Sequence, residues 1–321
     1  MRTMLIDTDM GSDDAVALIM AMRHPDIDVK AITTVYGNVS LPQAVRNALI
    51  VTELCQADVP VYRGVERPLI RPFEDATWFH GSDGLGDAGI PDPKGTPTQG
   101  HAVDAIIETV QANPGIMIVT LGPLTNVALA LQRAPEIIEH VSRCVVMGGA
   151  ACTYGNVTPA AEWNIWCDPE AARMVFLSGM HVEMVGWEFC QGEHALSAAE
   201  MATIRAMNTP VGHFVLDSNR VAIEAFREQT GLADALSLPD PVTMAVAIDP
   251  GIATRMSPHY VEVITQSELT RGMTLVDKLN VAEDPRNDIT WGDVIARGNK
   301  VHVTWEIDIP RWKALLMACL T

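Results

Sequence analysis

The stretch that most constrains this chain is Leu5-Ile6-Asp7-Thr8-Asp9-Met10-Gly11-Ser12-Asp13-Asp14-Ala15-Val16-Ala17-Leu18. Met4 to Ile6 is an apolar run that reads as a buried strand ending at Asp7. Gly11 supplies a tight turn, and Ser12 opens an apolar-periodic helix with two carboxylates in its first turn. Asp7, Asp9, Asp13 and Asp14 are thereby gathered around one strand-to-helix turn. In an open α/β sheet such a turn lies at the carboxyl end of a strand, where ligands bind. A helix N-terminus stabilises one or two carboxylates, but four packed together repel unless a cation joins them. With oxygen donors only, and no Cys or His nearby, the pattern favours calcium or magnesium over zinc.

Strands and helices alternate along most of the chain. Val29–Val35 reads as a strand closed by Tyr36-Gly37-Asn38, and Ser40 to about Cys55 as a helix with Ser40 at its N-cap and Gln43 at the third helical position. Pro60–Gly64 is a short strand and its exit. The segment from Gly64 to about Gly100 is rich in Pro, Gly and Asp and carries Trp78-Phe79-His80-Gly81. A loop of that length with an aromatic pair beside a His suggests a segment folded over a site. A helix over 101–112, a strand over 116–121, a helix from Val127, and a strand Cys144–Met147 ending in Gly148-Gly149 follow. Asp168-Pro169-Glu170 marks a helix start, then come a strand over 181–185 and helices across roughly 197–228. This alternation predicts an α/β fold, a mostly parallel open twisted sheet with helices on both faces. In the last third, a helix from Pro241 with Asp240 as its N-cap, strands at Tyr260–Ile264, Met273–Val276 and Val301–Glu306, and a closing helix Ile309–Cys319 are expected. No linker or repeat divides the chain, which reads as a single domain over 1–321.

Charge narrows the partners. Of 321 residues, 22 are basic and 40 acidic, a formal net charge of -18 with no Lys/Arg run, so nucleic acid and anionic membranes are excluded as partners. The six cysteines are scattered without a CxxC pair and read as reduced core residues. With no basic-then-apolar leader and no run long enough to span a bilayer, the expectation is a cytoplasmic protein.

Taken together, Asp7-Thr8-Asp9-Met10-Gly11-Ser12-Asp13-Asp14, Tyr36-Gly37-Asn38, His80-Gly81, Leu121-Gly122-Pro123-Leu124-Thr125-Asn126, Met147-Gly148-Gly149, Glu162-Trp163-Asn164 and Asp168-Pro169-Glu170-Ala171-Ala172 follow in the order of a known family. Over essentially its full length the chain resembles the nucleoside hydrolases of the inosine-uridine-preferring N-ribohydrolase family, and the first run is similar to that family's DxDxGxDD signature. The resemblance implies calcium-dependent hydrolysis of the N-glycosidic bond of a ribonucleoside, in nucleobase salvage, by a homodimer or homotetramer. It implies that Asp9, Asp14, Asp240 and the backbone carbonyl of Leu121 hold Ca2+, with Asp9 also the general base toward a calcium-bound water. Asp13, Asn38, Met147, Asn156, Glu162, Asn164 and Asp240 would contact the substrate. Glu162 suits the positive charge that grows on the sugar when an anomeric bond breaks.

One position departs from the family. Many members place a His directly before the C-terminal metal Asp, where it protonates the departing base, and others place Trp there. This chain has Pro239. His80 is the first substitute for that acid, with His194, Glu188, Trp78 and Trp187 behind it. Asp7 reads as a structural residue, Thr125 and Asn126 as turn residues, and Trp163 and Trp166 as packing. Two other functions remain open at this point. One is a nucleoside-binding homologue that kept the metal and ribose site but lost leaving-group activation. The other is a haloacid-dehalogenase-like phosphatase using Asp7-Thr8-Asp9 as its nucleophile loop, although Gly11 and the lack of a positioned Lys speak against it.

Overall fold

A computed structural model describes residues 1–231, 235–296 and 300–321. Its main sheet has nine strands in the order β10-β13-β7-β6-β5-β1-β2-β3-β4. These are β1 (Arg2–Thr8), β2 (Ile27–Thr34), β3 (Val61–Arg63), β4 (Thr98–His101), β5 (Ile116–Thr120), β6 (Val141–Met147), β7 (Val182–Val185), β10 (Ala253–His259) and β13 (Val301–Ile307). Neighbours run parallel except at one edge, where β10 pairs antiparallel with β13. Two small antiparallel pairs lie outside this sheet: β8 (Leu196–Ser197) with β9 (Ala235–Leu236), and β11 (Val261–Val263) with β12 (Thr274–Val276).

Central strand β1 shows why the sequence reads as it does. Met4 and Ile6 face one apolar core and Leu5 the other, so both faces are buried and the run is continuously hydrophobic. The following helix, α1 (Ser12–Arg23), has no solvent face over its first ten residues, and Ala15 through Ala21 are all fully buried. A helix apolar all round is an interior helix. It packs against the helix Pro239–Ile248, itself buried from Asp240 to Ile248. Truncating Leu18 to Ala there costs about 2–5 kcal/mol. The opposite face of the sheet is covered by the helices Ala102–Ala112, Thr125–Arg133 and Pro169–Phe176.

From β1 the chain builds outward to β2 and β3 on one side and to β5, β6 and β7 on the other. β1 is therefore the point where strand order reverses, and the crevice beyond its carboxyl end is where such sheets bind ligands. The expected fold class is met. Several boundaries differ. The helix expected from Pro241 begins at Pro239, so Asp240 lies inside its first turn, and Leu238 stands at the N-cap. Ser40 stands at the N-cap of α2 (Leu41–Leu54), but its side chain makes no capping bond, and Gln43 reaches Asn47 and the Asp83 carbonyl instead. The strands expected at Tyr260–Ile264 and Met273–Val276 form the separate hairpin β11–β12. The long polar loop contains a short helix, Thr77–His80, and the exposed edge strand β4. Among the described residues no helix is long and apolar enough to cross a membrane, and all six cysteines are free, only Cys152 being exposed.

Candidate active site

The turn after β1 is held in a conformation that side chains resist. Met10 takes φ +50°, a left-handed setting that costs about 1–2 kcal/mol outside glycine. Surrounding bonds fix it: the Met10 amide donates to Thr8 Oγ1 at 3.2 Å, and Asn47 Nδ2 donates to the Met10 carbonyl at 3.1 Å. The Gly11 amide donates to Asp14 Oδ2 at 2.8 Å, and the Thr8 hydroxyl donates to Asp14 Oδ1. Asp9 accepts from the Asn38 amide at 2.7 Å and from Asn38 Nδ2 at 3.1 Å, while the same Nδ2 reaches Asp14 at 3.0 Å. Asn38, delivered by the end of β2, thus bridges two of the carboxylates. Gly37 is obligatory beside it, because a Cβ there would meet Asp9 Oδ2 at 2.0 Å.

Asp7 turns away from this group. It accepts from the Thr33 hydroxyl and, at 2.8 Å, from Asn126 Nδ2, tying β1 to β2 and to the turn after β5. Burial raises its pKa to about 7. Lying behind the cavity wall and bonded into the sheet, it cannot serve as a phosphatase nucleophile. Thr125 likewise serves structure, donating to the N-cap carboxylate of Asp168 at 2.8 Å.

Asp13, Asp14 and Asp240 offer carboxylate oxygens within 4.8 Å of one another. Burial, then the neighbouring carboxylates, push Asp240 well above the usual range; burial and Asp13 raise Asp14 to about 7. Asp9 is also raised well above normal by burial and by Asp14. One oxygen of Asp13 is buried without a hydrogen-bond partner among the described residues. Like charges brought this close out of water are unfavourable by themselves. An oxygen-ligated divalent cation satisfies all of these features at once, so the donor set fits such an ion.

On the far side of β1, the loop after β6 brings the second half of the site. The Glu162 carboxylate accepts from three backbone amides, those of Gly149 (2.9 Å), Asn164 (2.8 Å) and Ile165 (3.1 Å). It caps the short helix Trp163–Cys167, and burial raises its pKa to about 7 against those donors. Asn164 Nδ2 donates to the Leu121 carbonyl at 2.9 Å and reaches Met147 Sδ at 3.2 Å. Asn156 Oδ1 accepts from the Trp163 amide at 2.9 Å.

These groups surround one cavity, open at its mouth. Asp13, Asn38, His80, Leu121, Met147, Asn156, Glu162, Asn164 and Asp240 all line it, whereas Asp9 and Asp14 are fully buried behind that lining. His80 accepts at Nδ1 from the Ser12 amide at 3.2 Å, with Ser12 Oγ at 3.0 Å and Asp13 Oδ1 at 3.8 Å. That contact assigns the ring proton to Nε2. Burial lowers the His80 pKa and Asp13 partly opposes it. Pro239 lines the cavity too, with Trp78 and Trp187. His194 and Glu188 are not on its wall: His194 bonds the Gln191 carbonyl, and Glu188 is a half-buried carboxylate raised to about 7 by burial. Sequence reasoning missed Cys190, Phe226, Gln229 and Ser237 as lining residues, and read Trp163 as packing. Phe226 and Gln229, three apart on the helix Arg220–Thr230, carry a helical-face signal, but nothing in the sequence says which cavity that face meets.

Fold and site define a doubly wound α/β protein with a carboxylate-rich cavity at its topological switch point. The family model described as inosine-uridine preferring nucleoside hydrolase matches residues 4–314. The pyrimidine-specific ribonucleoside hydrolase RihA of Salmonella typhimurium is 38% identical over 297 residues, 92% of this chain and 94% of that protein. A plant nucleoside hydrolase, PpNRh1, superposes with a TM-score of 0.90 at 33% identity, covering 100% of this chain and 99% of that one. A purine-preferring ribonucleoside hydrolase from Gardnerella vaginalis gives 0.88 at 33% identity, over 99% and 98% of the two chains. The chain belongs to the inosine-uridine preferring nucleoside hydrolase family, a family of N-glycosyl hydrolases.

Proposed function

We propose that the protein, acting over 1–321 as one catalytic domain, hydrolyses the N-glycosidic bond of a ribonucleoside in a calcium-dependent reaction that gives free base and ribose. The observation that carries this reading is the cluster of Asp13, Asp14 and Asp240 beside a cavity whose wall also holds Asn38, Asn156, Glu162 and Asn164. Asp9, Asp14, Asp240 and the Leu121 carbonyl would hold the ion. It would supply Lewis acidity toward a water and ordered oxygen contacts for the ribose diol. Giving Asp9 to the ion and Asp13 to the sugar follows the family likeness, since geometry alone clusters Asp13 with Asp14 and Asp240. Calorimetry distinguishes them: Asp9→Asn should lose calcium binding, whereas Asp13→Asn should keep it and lose nucleoside affinity.

The chain's own groups divide the remaining work. Asp9 accepts the proton of the attacking water, and Asn38 fixes its carboxylate. Asp13, Asn38, Asn156 and Asn164 position the sugar hydroxyls, with Met147 against the ring. The Glu162 carboxylate offsets positive charge developing on the ring oxygen and anomeric carbon. His80 donates a hydrogen bond from Nε2 to the departing base, easing the negative charge it takes up, in place of the residue lost at Pro239. The relatives support nucleosides as a class, and since one is pyrimidine-specific and another purine-preferring, they leave the base open. We extend the family likeness to a homodimer or homotetramer in the cytoplasm, which sedimentation and cell fractionation check. The test of the whole reading is base release from inosine and uridine with and without chelator. A calcium-loaded protein inert on every nucleoside would refute it. Saturable nucleoside binding without release would instead establish the second reading, a catalytically silent binding homologue, which Pro239 on the cavity wall favours.

A further inference from the structure

The charge of the cavity is one-sided. Asp13, Glu162 and Asp240 stand on its wall, Asp9 and Asp14 lie buried behind it, and no Lys or Arg is among the described residues that line it. The wall therefore offers carboxylates with no side-chain cation to oppose them among the described residues. The rest of the wall is rich in aromatic rings: Trp78, Phe79, Trp163, Trp187 and Phe226. Trp78 is 58% exposed and rests edge-on against Phe79 with ring centroids 5.5 Å apart. It is a large aromatic left on the surface at the mouth of a site. Pro239, meanwhile, has no proton to give where a leaving-group acid is expected, so neutral bases depend on His80 alone.

These features share one chemical solution. Neutral purines and pyrimidines leave as anions unless protonated. A base joined to ribose as a quaternary nitrogen leaves neutral and needs no proton. Its positive ring is attracted both to aromatic faces and to a carboxylate-lined pocket. Resting on the nucleosidase reading above, we infer that this cavity selects cationic nucleosides of the N-ribosylpyridinium class and cleaves them in preference to neutral ones. The glycosidic carbon–nitrogen bond breaks with its electron pair passing to the ring nitrogen, which neutralises the pyridinium. The water oxygen forms the new bond to the anomeric carbon and gives its proton to Asp9. Cationic nucleoside and water thus become neutral base, ribose and a proton. The net charge of -18 steers such a substrate toward the protein.

The test uses the full-length, calcium-loaded protein on nicotinamide riboside, inosine, uridine and p-nitrophenyl riboside. The kcat/KM for nicotinamide riboside should exceed that for inosine and uridine by about threefold or more in the wild type, the cation–π part, and in His80→Ala that gap should widen by about a further hundredfold, the scale of one general acid. It should also exceed that for neutral p-nitrophenyl riboside by about threefold or more, the cation–π part. As a binding readout, 1-methylnicotinamide should inhibit at about a threefold to thirtyfold lower concentration than neutral nicotinamide. Trp78→Leu, an exposed change that leaves the core intact, should shrink that gap. Equal or faster cleavage of inosine, uridine or p-nitrophenyl riboside, or equal inhibition by the two nicotinamides, overturns this inference and leaves the nucleosidase reading standing. Failure on all four substrates overturns the nucleosidase reading itself.

Discussion

Replacing Glu162 with Gln separates the structural and chemical duties of that side chain. The carboxylate accepts three backbone amides, two on Oε2 and one on Oε1. A glutamine keeps an oxygen for two of them, but its amide nitrogen then faces the third donor. One charge-assisted bond, about 1.5–3 kcal/mol, is lost and a buried N–H is left unpaired. For a chain of this size that is a fall in Tm of several degrees, about 2–4 °C per kcal/mol or somewhat less. Chemistry suffers separately, because the neutral amide no longer offsets positive charge on the sugar; about a hundred- to thousandfold loss in kcat is expected. Urea denaturation and steady-state base release on the same preparation read the two effects. If the variant keeps wild-type turnover while losing stability, Glu162 is only a helix cap; if it loses neither, the hydrogen-bond reasoning itself is wrong.

Three further outcomes follow from the charges. Calcium must displace protons from carboxylates whose pKa is raised in its absence, to about 7 for Asp14; calorimetry should therefore show affinity rising with pH up to and through 7, and a flat profile would contradict this. His80→Ala should cost about a hundred- to ten-thousandfold in cleavage of neutral nucleosides but far less with p-nitrophenyl riboside, whose leaving group needs little protonation; an equal loss on both substrates would remove His80 as the acid. Asp7 has its folded pKa raised to about 7 from 3.8, so the native state holds the extra proton and ionising Asp7 destabilises it. Wild-type stability relative to Asp7→Asn should accordingly fall as pH rises from about 4 to 7, by at most about 4 kcal/mol, and denaturant midpoints at pH 5 and pH 8 would show whether that slope exists.

How much of this was legible in the sequence depends on range. The β1–α1 turn is local: an apolar run, a glycine and first-turn carboxylates dictate strand, turn and helix, and the structure adds only that Asp7 faces Thr33 and Asn126 instead of the cavity. Strand alternation would put residues 7 and 9 on one face, so it cannot separate them, and the partners that β2 and the turn after β5 offer decide that Asp7 is tied into the sheet. Asp240 illustrates the opposite limit. Read locally it is a helix cap, yet the helix starts two residues earlier than that reading, and only the packing of that helix against α1 carries its carboxylate to Asp13 and Asp14. Edge strand β4 escaped notice because all four of its residues are exposed, so it lacks the hydrophobic alternation by which strands are recognised.

The same distinction explains why the two sides of the cavity differ in what they reveal. The sugar side is built from strand ends, whose positions the parallel sheet fixes to one another: Asp9 and Asn38 follow adjacent strands, and Leu121 and Met147 continue the neighbouring ones. The base side is assembled from the short helix carrying Trp78 and His80, the segment carrying Trp187 and Cys190, and the helix carrying Phe226 and Gln229. No sheet register relates those pieces. A relative named as pyrimidine-specific is 38% identical to the chain and one named as purine-preferring 33%. It follows that changing the base must mean changing these segments, and that an exchange of the 76–80 segment between two members should alter leaving-group preference while sparing calcium affinity.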